Sequence, residues 1–136
     1  MRLLVLDESQ LLAWMVEQFC PPGTEVLPLA SFEDARRVIL DSSPDAAVVS
    51  MTPAHVPWRE LQDLCASRTP PVPVLFESCV FSNAEEAGLE PGQSLSWFLR
   101  KPASSSDFEK ALARLLEAAR LAGRPPERPV AEAKSA

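Results

Sequence analysis

Short apolar runs recur along the chain and alternate with segments of helical periodicity. Each run is too short for a helix and is bounded by polar or turn residues, as in strands buried on both faces; the runs lie at 2–6, 25–29, 46–49, 74–76 and 95–100. The segments between them carry apolar residues three and four positions apart, which predicts helices. Alternating strands and helices predict an α/β fold, in which helices cover both faces of a parallel sheet.

Capping residues and helix breakers indicate where the helices begin and end. Ser9, Ser31 and Ser106 precede the first, second and last helical segments, where a side-chain oxygen can accept a backbone hydrogen bond. The segment 82–89 has few apolar residues and runs into a proline and a glycine. We therefore expect the fourth helix to be short or irregular. On the first helix, Trp14 lies off the apolar stripe and is expected to be exposed.

Composition and charge narrow the classes of partner. Hydrophobic residues make up 46% of the 136 residues, charged residues 24%, and the net charge is -6, as in an ordinary globular domain. This acidic balance argues against a general binder of phosphate backbones, which needs clustered Lys and Arg, and no apolar run reaches about 18 residues. We expect a cytoplasmic protein that binds neither nucleic acid nor membrane.

The end of the chain differs in composition from the rest. Residues 122–136 are rich in proline, alanine and charge and have almost nothing to bury. We expect them to form a disordered tail, so that the folded domain spans residues 1–121.

The cysteines do not indicate a metal or disulfide framework. Cys20, Cys65 and Cys79 are odd in number, none is in a CxxC spacing, and His55 is the only histidine. We expect three reduced and mostly buried thiols and no zinc site. Cys79 is expected to be buried and unreactive, although it lies close to the predicted site.

Polar residues follow four of the predicted strands, at the edge where ligands bind in parallel α/β sheets. Asp7 and Glu8 follow the first strand, Ser50 the third, Ser78 the fourth and Lys101 the fifth. An acidic pair, two hydroxyls and a lysine are thus expected at one edge of the sheet.

This order of residues resembles the receiver domain of bacterial response regulators, over roughly residues 1–121. In that family two acids after the first strand hold Mg²⁺, a Ser or Thr after the fourth strand contacts the phosphoryl group, and a Lys-Pro pair follows the fifth strand. Here those positions are occupied by Asp7 and Glu8, by Ser78, and by Lys101 with Pro102, while Phe98 stands at the position of the aromatic switch residue.

The resemblance implies a definite architecture. It is a flavodoxin-like (βα)5 fold, a doubly wound parallel sheet of five strands in the order 2-1-3-4-5. Helices one and five would lie on one face, and helices two to four on the other.

The phosphoacceptor aspartate of receivers is missing from this sequence. Counting from Pro44 places Ser50 at its position, and no Asp or Glu occurs between Asp45 and Glu60. A serine hydroxyl without an evident base is a poorer nucleophile than a carboxylate and a weaker Mg²⁺ ligand. We therefore expect a degenerate pseudo-receiver that is not an enzyme and holds no metal or other cofactor. In its vestigial pocket, Lys101 is expected to pair with Asp7 or Glu8.

The sequence predicts a stand-alone protein-interaction module, independent of phosphorylation, in bacterial signalling, motility or cell organisation. Its partner would be a signalling or scaffold protein. Receivers commonly signal through helix four, strand five and helix five, which directs attention to Trp97, Phe98 and Arg100 on strand five. Strand alternation places Phe98 and Arg100 on one side and Trp97 on the other.

Two alternatives stay open. The chain could be a catalytically competent atypical receiver phosphorylated at a residue other than Asp, such as Ser50 or His55. It could also be a flavodoxin-like domain that binds a small ligand, although its four glycines form no phosphate-binding loop.

Overall fold

The computed structural model describes residues 1–51, 56–93 and 95–123. Its elements, in chain order, are β1 Arg2–Leu6, α1 Leu11–Phe19, β2 Glu25–Leu29, α2 Phe32–Ser42, β3 Ala46–Ser50, α3 Trp58–Ser67, β4 Val74–Ser78, β5 Ser96–Arg100 and α4 Ser105–Ala122. The strands form one parallel sheet in the order β2-β1-β3-β4-β5. The predicted flavodoxin-like architecture and strand order are therefore confirmed.

Two apolar clusters cover the two faces of the sheet. One contains Leu3 and Val5 of β1 and lies under α1 and α4; the other contains Leu4 and Leu6 and lies under α2 and α3. Because successive strand residues point to opposite faces, a strand covered on both sides must be apolar throughout. This requirement explains the unbroken apolar runs in the sequence, and the predicted sides of the first and last helices are confirmed.

Turns replace the predicted fourth helix. Within 79–93 the backbone forms bends and turns, and Gly88 adopts a φ of 83°, which glycine adopts readily. Leu89 is buried in the α2/α3 cluster, and the side chain of Gln62 holds this end of the segment through both backbone groups of Glu90, at 3.0 and 2.7 Å. The segment packs at a few apolar points, but it lacks the continuous apolar stripe that a helix needs.

The three predicted helix caps agree with the structure to different degrees. At α2, Ser31 Oγ accepts a hydrogen bond from Asp34 N at 3.1 Å, as predicted. At α4 the cap is Ser104 and not Ser106, because the helix already begins at Ser105. At α1 the N-cap residue is Gln10, whose side chain makes no cap hydrogen bond. Ser9 Oγ nevertheless accepts a hydrogen bond from Leu11 N at 3.3 Å, as predicted, and Asp7 Oδ2 accepts one from Leu12 N at 3.3 Å.

The three thiols differ in exposure. Cys65 is buried and Cys20 half-buried, but Cys79 is exposed, contrary to the prediction. The reason is that β4 ends at Ser78, so the next residue has already left the sheet at its open edge. Burial raises the pKa of the Cys65 thiol to about 12, which makes it inert at neutral pH.

Two predictions concern residues outside the described ranges: the disordered tail, apart from Ala122 and Gly123, and the part assigned to His55. Among the helices that are described, none combines the length and apolar character needed to cross a bilayer.

Candidate functional site

Backbone pairing beyond the strand ends brings the predicted site residues together. Met51 N donates to Glu77 O at 2.8 Å, Lys101 N donates to Ser78 O at 2.7 Å, and Asp7 N donates to Leu29 O at 3.0 Å. These bonds extend the ladder past β1, β3 and β5, so the polar side chains that follow the strands meet at one edge. The Lys101-Pro102 peptide bond at this edge is cis.

Lys101 pairs with a residue that the sequence analysis did not single out. Its Nζ donates to Ser50 Oγ at 3.0 Å and lies 3.8 Å from Glu77 Oε1. The prediction that Lys101 pairs with Asp7 or Glu8 is therefore wrong. Glu77 is closer because β4 pairs directly with β5 and ends beside the start of the Lys101 loop.

Glu77 is a buried carboxyl group with only partial compensation. Its side chain is 4% exposed, and Oε2 has no hydrogen-bond partner in the part of the chain that the structure describes. Desolvation raises the pKa of Glu77 from its ordinary 4.5 to about 7; the nearby Lys101 ammonium opposes this rise and the Asp7 carboxylate adds to it. Glu77 is the site residue to which sequence reasoning gave no role, although a charge directly after the apolar run of a buried strand is itself a signal.

The acidic pair after β1 is split between two environments. Asp7 Oδ2 accepts hydrogen bonds from Ser9 Oγ at 3.1 Å and from Leu12 N at 3.3 Å. A carboxylate is favourable there because the first turn of a helix carries free N–H groups and a positive dipole end. Glu8 is exposed to solvent. Asp7 thus stabilises the start of α1, and these hydrogen bonds fix the orientation of its carboxylate.

Ser78 uses its hydroxyl oxygen inside the fold. The residue is fully buried, and its Oγ accepts hydrogen bonds from Val80 N at 3.0 Å and Phe81 N at 2.9 Å. Both lone pairs of the hydroxyl oxygen are therefore occupied. Because it alternates with Glu77 along β4, Ser78 points to the α2/α3 face while Glu77 points to the α1/α4 face.

The side chains at this edge do not fit the Mg²⁺ ion that receivers hold. Among the described residues, no group of three or more His, Cys, Asp or Glu side chains is placed to hold a metal ion. At the position of the third carboxylate stands the Ser50 hydroxyl, with the Lys101 ammonium 3.0 Å away. A cation at that point repels Mg²⁺, which is bound mainly by carboxylate and water oxygens.

A cleft of about 300 Å³ opens on the α1/α4 side of this edge. We call it the acidic cleft. Its polar floor is formed by Asp7, Glu77 and Lys101, and Met15 and Phe108 are among its apolar walls. A cleft of this volume is at the lower end of the range that binds small molecules.

The proposed partner-binding residues lie on the outer edge strand of the sheet. Trp97 and Phe98 of β5 are half-buried and Arg100 is exposed. Trp97 packs against the α1/α4 cluster and Phe98 against the α2/α3 cluster, as the predicted alternation requires. The predicted exposure of Trp14, which is 58% accessible, is also confirmed.

Solved structures show what this fold is similar to, whereas no protein-family model and no curated protein matches the chain. A two-component transcriptional regulator AraC from Clostridium phytofermentans aligns over 92% of this chain and 99% of its own, with a TM-score of 0.72 and 16% identity. The signal receiver domain of a putative LuxO repressor protein from Vibrio parahaemolyticus aligns over 88% and 92%, with a TM-score of 0.65 and 19% identity.

The response regulator domain of CheB from Thermotoga maritima aligns over 93% of this chain and 98% of its own, with a TM-score of 0.57 and 20% identity. The Vibrio and Thermotoga structures are receiver and response regulator domains, and this chain has the same receiver fold. Similarity at this level of identity concerns the fold alone, so activity and partners must be argued from the residues.

Proposed function

We propose that this protein is a pseudo-receiver that acts as a phosphorylation-independent protein-interaction module in bacterial signalling, motility or cell organisation. It would work in the cytoplasm and bind a signalling or scaffold protein. The observation that carries the proposal is the hydrogen bond from Lys101 Nζ to Ser50 Oγ at the end of β3.

Ser50 stands where the resemblance puts the acceptor aspartate, and its surroundings disfavour phosphoryl transfer. Attack on a phosphodonor needs a nucleophile activated by a base or carried as an anion, with a metal to neutralise the transferred group. The neighbour of Ser50 Oγ is an ammonium group, which donates a proton and does not accept one. Ser78, at the phosphoryl-contact position, has its oxygen committed to two backbone donors.

Without phosphoryl control, a partner surface must be presented constitutively. The edge strand β5 offers half-buried aromatic side chains next to exposed Arg100, and these residue types are enriched at interface hot spots. A depression of about 220 Å³ beside β5 is lined in part by Trp97, Lys110 and Arg114. A surface of this kind fits an acidic or mixed protein partner.

The phosphorylation half of the proposal is tested by incubating the protein with acetyl phosphate and Mg²⁺ and measuring its intact mass. We expect no stable mass gain and a melting temperature that Mg²⁺ leaves unchanged, since only a bound ion stabilises the folded state. Ser50→Asp is the matched variant, and we expect it to regain part of the Mg²⁺ response. Phosphorylation that maps to Ser50 or His55 of the unaltered protein would contradict the proposal.

The interaction half is tested on the partner identified by affinity capture. We expect Arg100→Ala to weaken binding by about 1–2 kcal/mol in calorimetry while the melting temperature stays the same. Arg37→Ala, a change at an exposed arginine on α2, is the matched control and should bind normally. Phe98→Ala should weaken binding as well, but Phe98 also packs against the core, so its melting temperature must be measured beside the affinity.

These variants test whether β5 is the interface. If Arg100→Ala and Phe98→Ala both fold and bind at full affinity, β5 is not the interface. The exposed Trp14 on α1 is then the next surface to change.

A further inference from the structure

The outer edge of β5 presents backbone hydrogen-bonding groups that the sheet leaves unused. Lys101 N donates to Ser78 O at 2.7 Å, so the odd-numbered residues along this strand bond to β4. Alternation then turns the N–H and C=O groups of Ser96, Phe98 and Arg100 away from the sheet, where they have no hydrogen-bond partner in the described part of the chain. All residues of β4 are buried, whereas each residue of β5 is at least partly exposed. The edge of β5 is therefore open to another chain.

The other outer strand, β2, is protected against such pairing. Asp7 N donates to Leu29 O at 3.0 Å, so the outward positions of β2 are those of Val26 and Pro28. Proline has no N–H to offer and its ring obstructs an approaching strand, which is one way in which proteins protect exposed edges. β5 contains no proline, and its one charged residue, Arg100, stands at its end. One edge of the sheet is thus closed, and the other is available.

The charges beside β5 favour an acidic segment as the added chain. The depression of about 220 Å³ between β5 and α4 is lined in part by Trp97, Asp107, Lys110 and Arg114, and Arg100 is exposed at the end of the strand. Among these residues the cations outnumber the acids, although the protein as a whole carries a net charge of -6. A second copy of the chain would bring these cations toward their own counterparts, whereas acidic side chains would pair with them.

We propose that β5 accepts an extended segment of the partner protein as a sixth strand, with acidic side chains toward Lys110 and Arg114 and apolar ones toward Phe98. Alternate residues of an added strand lie on opposite faces of the sheet. One set reaches the α1/α4 face, where the depression lies, and the other reaches the α2/α3 face beside Phe98. Backbone hydrogen bonds supply affinity in this mode of binding, and the alternating side chains supply specificity. The inference rests on the proposed function, because it states how the partner binds at β5.

The test uses synthetic peptides, so it needs no identified partner. A capped peptide of about seven alternating Glu and Val residues, slightly longer than β5, is titrated into nitrogen-15-labelled protein. We expect saturable shifts of the amides of Ser96, Phe98 and Arg100, whose N–H groups face outward. A peptide with Lys in place of Glu should bind at least about tenfold more weakly, and so should a peptide of the same composition in which Glu and Val are grouped in blocks.

Backbone methylation of the peptide separates strand addition from other ways of binding. In one peptide every Glu is N-methylated, and in a second every Val. Because only one edge of an added strand faces β5, one of the two should lose at least about tenfold in affinity while the other binds like the parent peptide. Equal loss in both peptides, or loss in neither, would overturn the proposal.

Variants of the protein locate the edge and the charges. Ser96→Pro removes an outward N–H, as Pro28 does on β2, and should weaken peptide binding at least about tenfold. Ser96→Ala loses the same hydroxyl, which accepts a hydrogen bond from Gln62 Nε2, but keeps the N–H and should bind normally. Arg114→Glu should weaken binding of the Glu peptide about threefold and strengthen that of the Lys peptide, while Arg37→Glu on α2 should change neither. The melting temperature of each variant shows whether it is folded, and the methylated peptides test the proposal on the unaltered protein.

The outcomes distinguish this inference from the proposed function. If the Glu peptide gives no saturable shifts, or if folded Ser96→Pro binds it as Ser96→Ala does, strand addition is wrong. An identified partner that loses affinity for Arg100→Ala would still support an interaction at β5 in that case. Dimerisation of the protein in sedimentation, abolished by Ser96→Pro, would assign the edge to a second copy and overturn the proposal.

Discussion

Neighbouring residues at the end of β4 occupy contrasting environments on the two faces of the sheet. On the α2/α3 face, Ser78 is buried and its oxygen accepts two backbone hydrogen bonds. On the α1/α4 face, Glu77 is equally buried, but one of its oxygens has no partner among the described residues. A buried polar group with its hydrogen bonds made contributes to stability, whereas one without them costs free energy. The comparison separates a structural residue from a candidate functional one.

The largest expected effect is the loss of stability that the buried Glu77 carboxylate causes as the pH rises. With the pKa of its carboxyl raised to about 7, the folded state binds a proton that the unfolded state has lost between about pH 4.5 and 7. Stability conferred by the protonated form is therefore full at low pH and declines as the pH rises through this window. Relative to Glu77→Gln, the unaltered protein should lose about 2–3 kcal/mol of unfolding free energy between about pH 5 and pH 8.

The measurement is urea unfolding of both proteins at each pH. Subtracting one from the other cancels the contributions of the remaining ionisable groups, and Glu85→Gln serves as the control for loss of an exposed acid. If the unfolding free energies of the unaltered protein and Glu77→Gln change in parallel with pH, the pKa of Glu77 is not raised in the folded state.

An intermediate effect is expected on the other face of the sheet. Ser78→Ala leaves Val80 N and Phe81 N without their acceptor, and should cost about 1–2 kcal/mol of unfolding free energy. Because no charge is involved, the loss should be the same at about pH 5 and pH 8. Ser82→Ala, at an exposed serine in the same segment, is the control. A loss for Ser78→Ala that varies with pH would mean that the two faces are coupled.

The smallest effect on stability is expected from Lys101, which contacts Ser50 and Glu77. Lys101→Met keeps the length of the side chain but removes the attraction that opposes the rise in the pKa of Glu77. We expect a loss of about 1 kcal/mol at about pH 8, after allowance for the partial exposure of Lys101. Near pH 5, where Glu77 is protonated in both proteins, only the smaller loss of the hydrogen bond from Lys101 Nζ to Ser50 Oγ should remain. Chemical denaturation at the two pH values measures both losses. Equal losses would show that Lys101 does not stabilise the ionised Glu77 carboxylate.

Much of the fold follows from the order of residues alone. The predicted starts of β1, β2, β3 and β4 agree with the structure, and β5 begins one residue later than predicted. Strands buried on both faces must be apolar throughout, so their boundaries appear directly in the sequence. The exposed Trp14 and the alternation along β5 follow from periodicity in the same way. The list of residues at the carboxyl edge was also predictable, because parallel strands end at the same edge.

What the residues do at that edge was decided by tertiary structure. Whether Lys101 pairs with Asp7 or with Glu77 depends on which strands are neighbours and on how far each side chain reaches, and neither quantity is local in the sequence. Asp7 accepts a hydrogen bond from a backbone N–H at the start of α1, and Ser78 accepts two from the turn that follows β4. Both side chains are engaged because free backbone N–H groups nearby needed acceptors. Glu77 was left beside a cleft that forms only when α1, β4 and the loop before α4 come together, with one buried oxygen unpaired among the described residues.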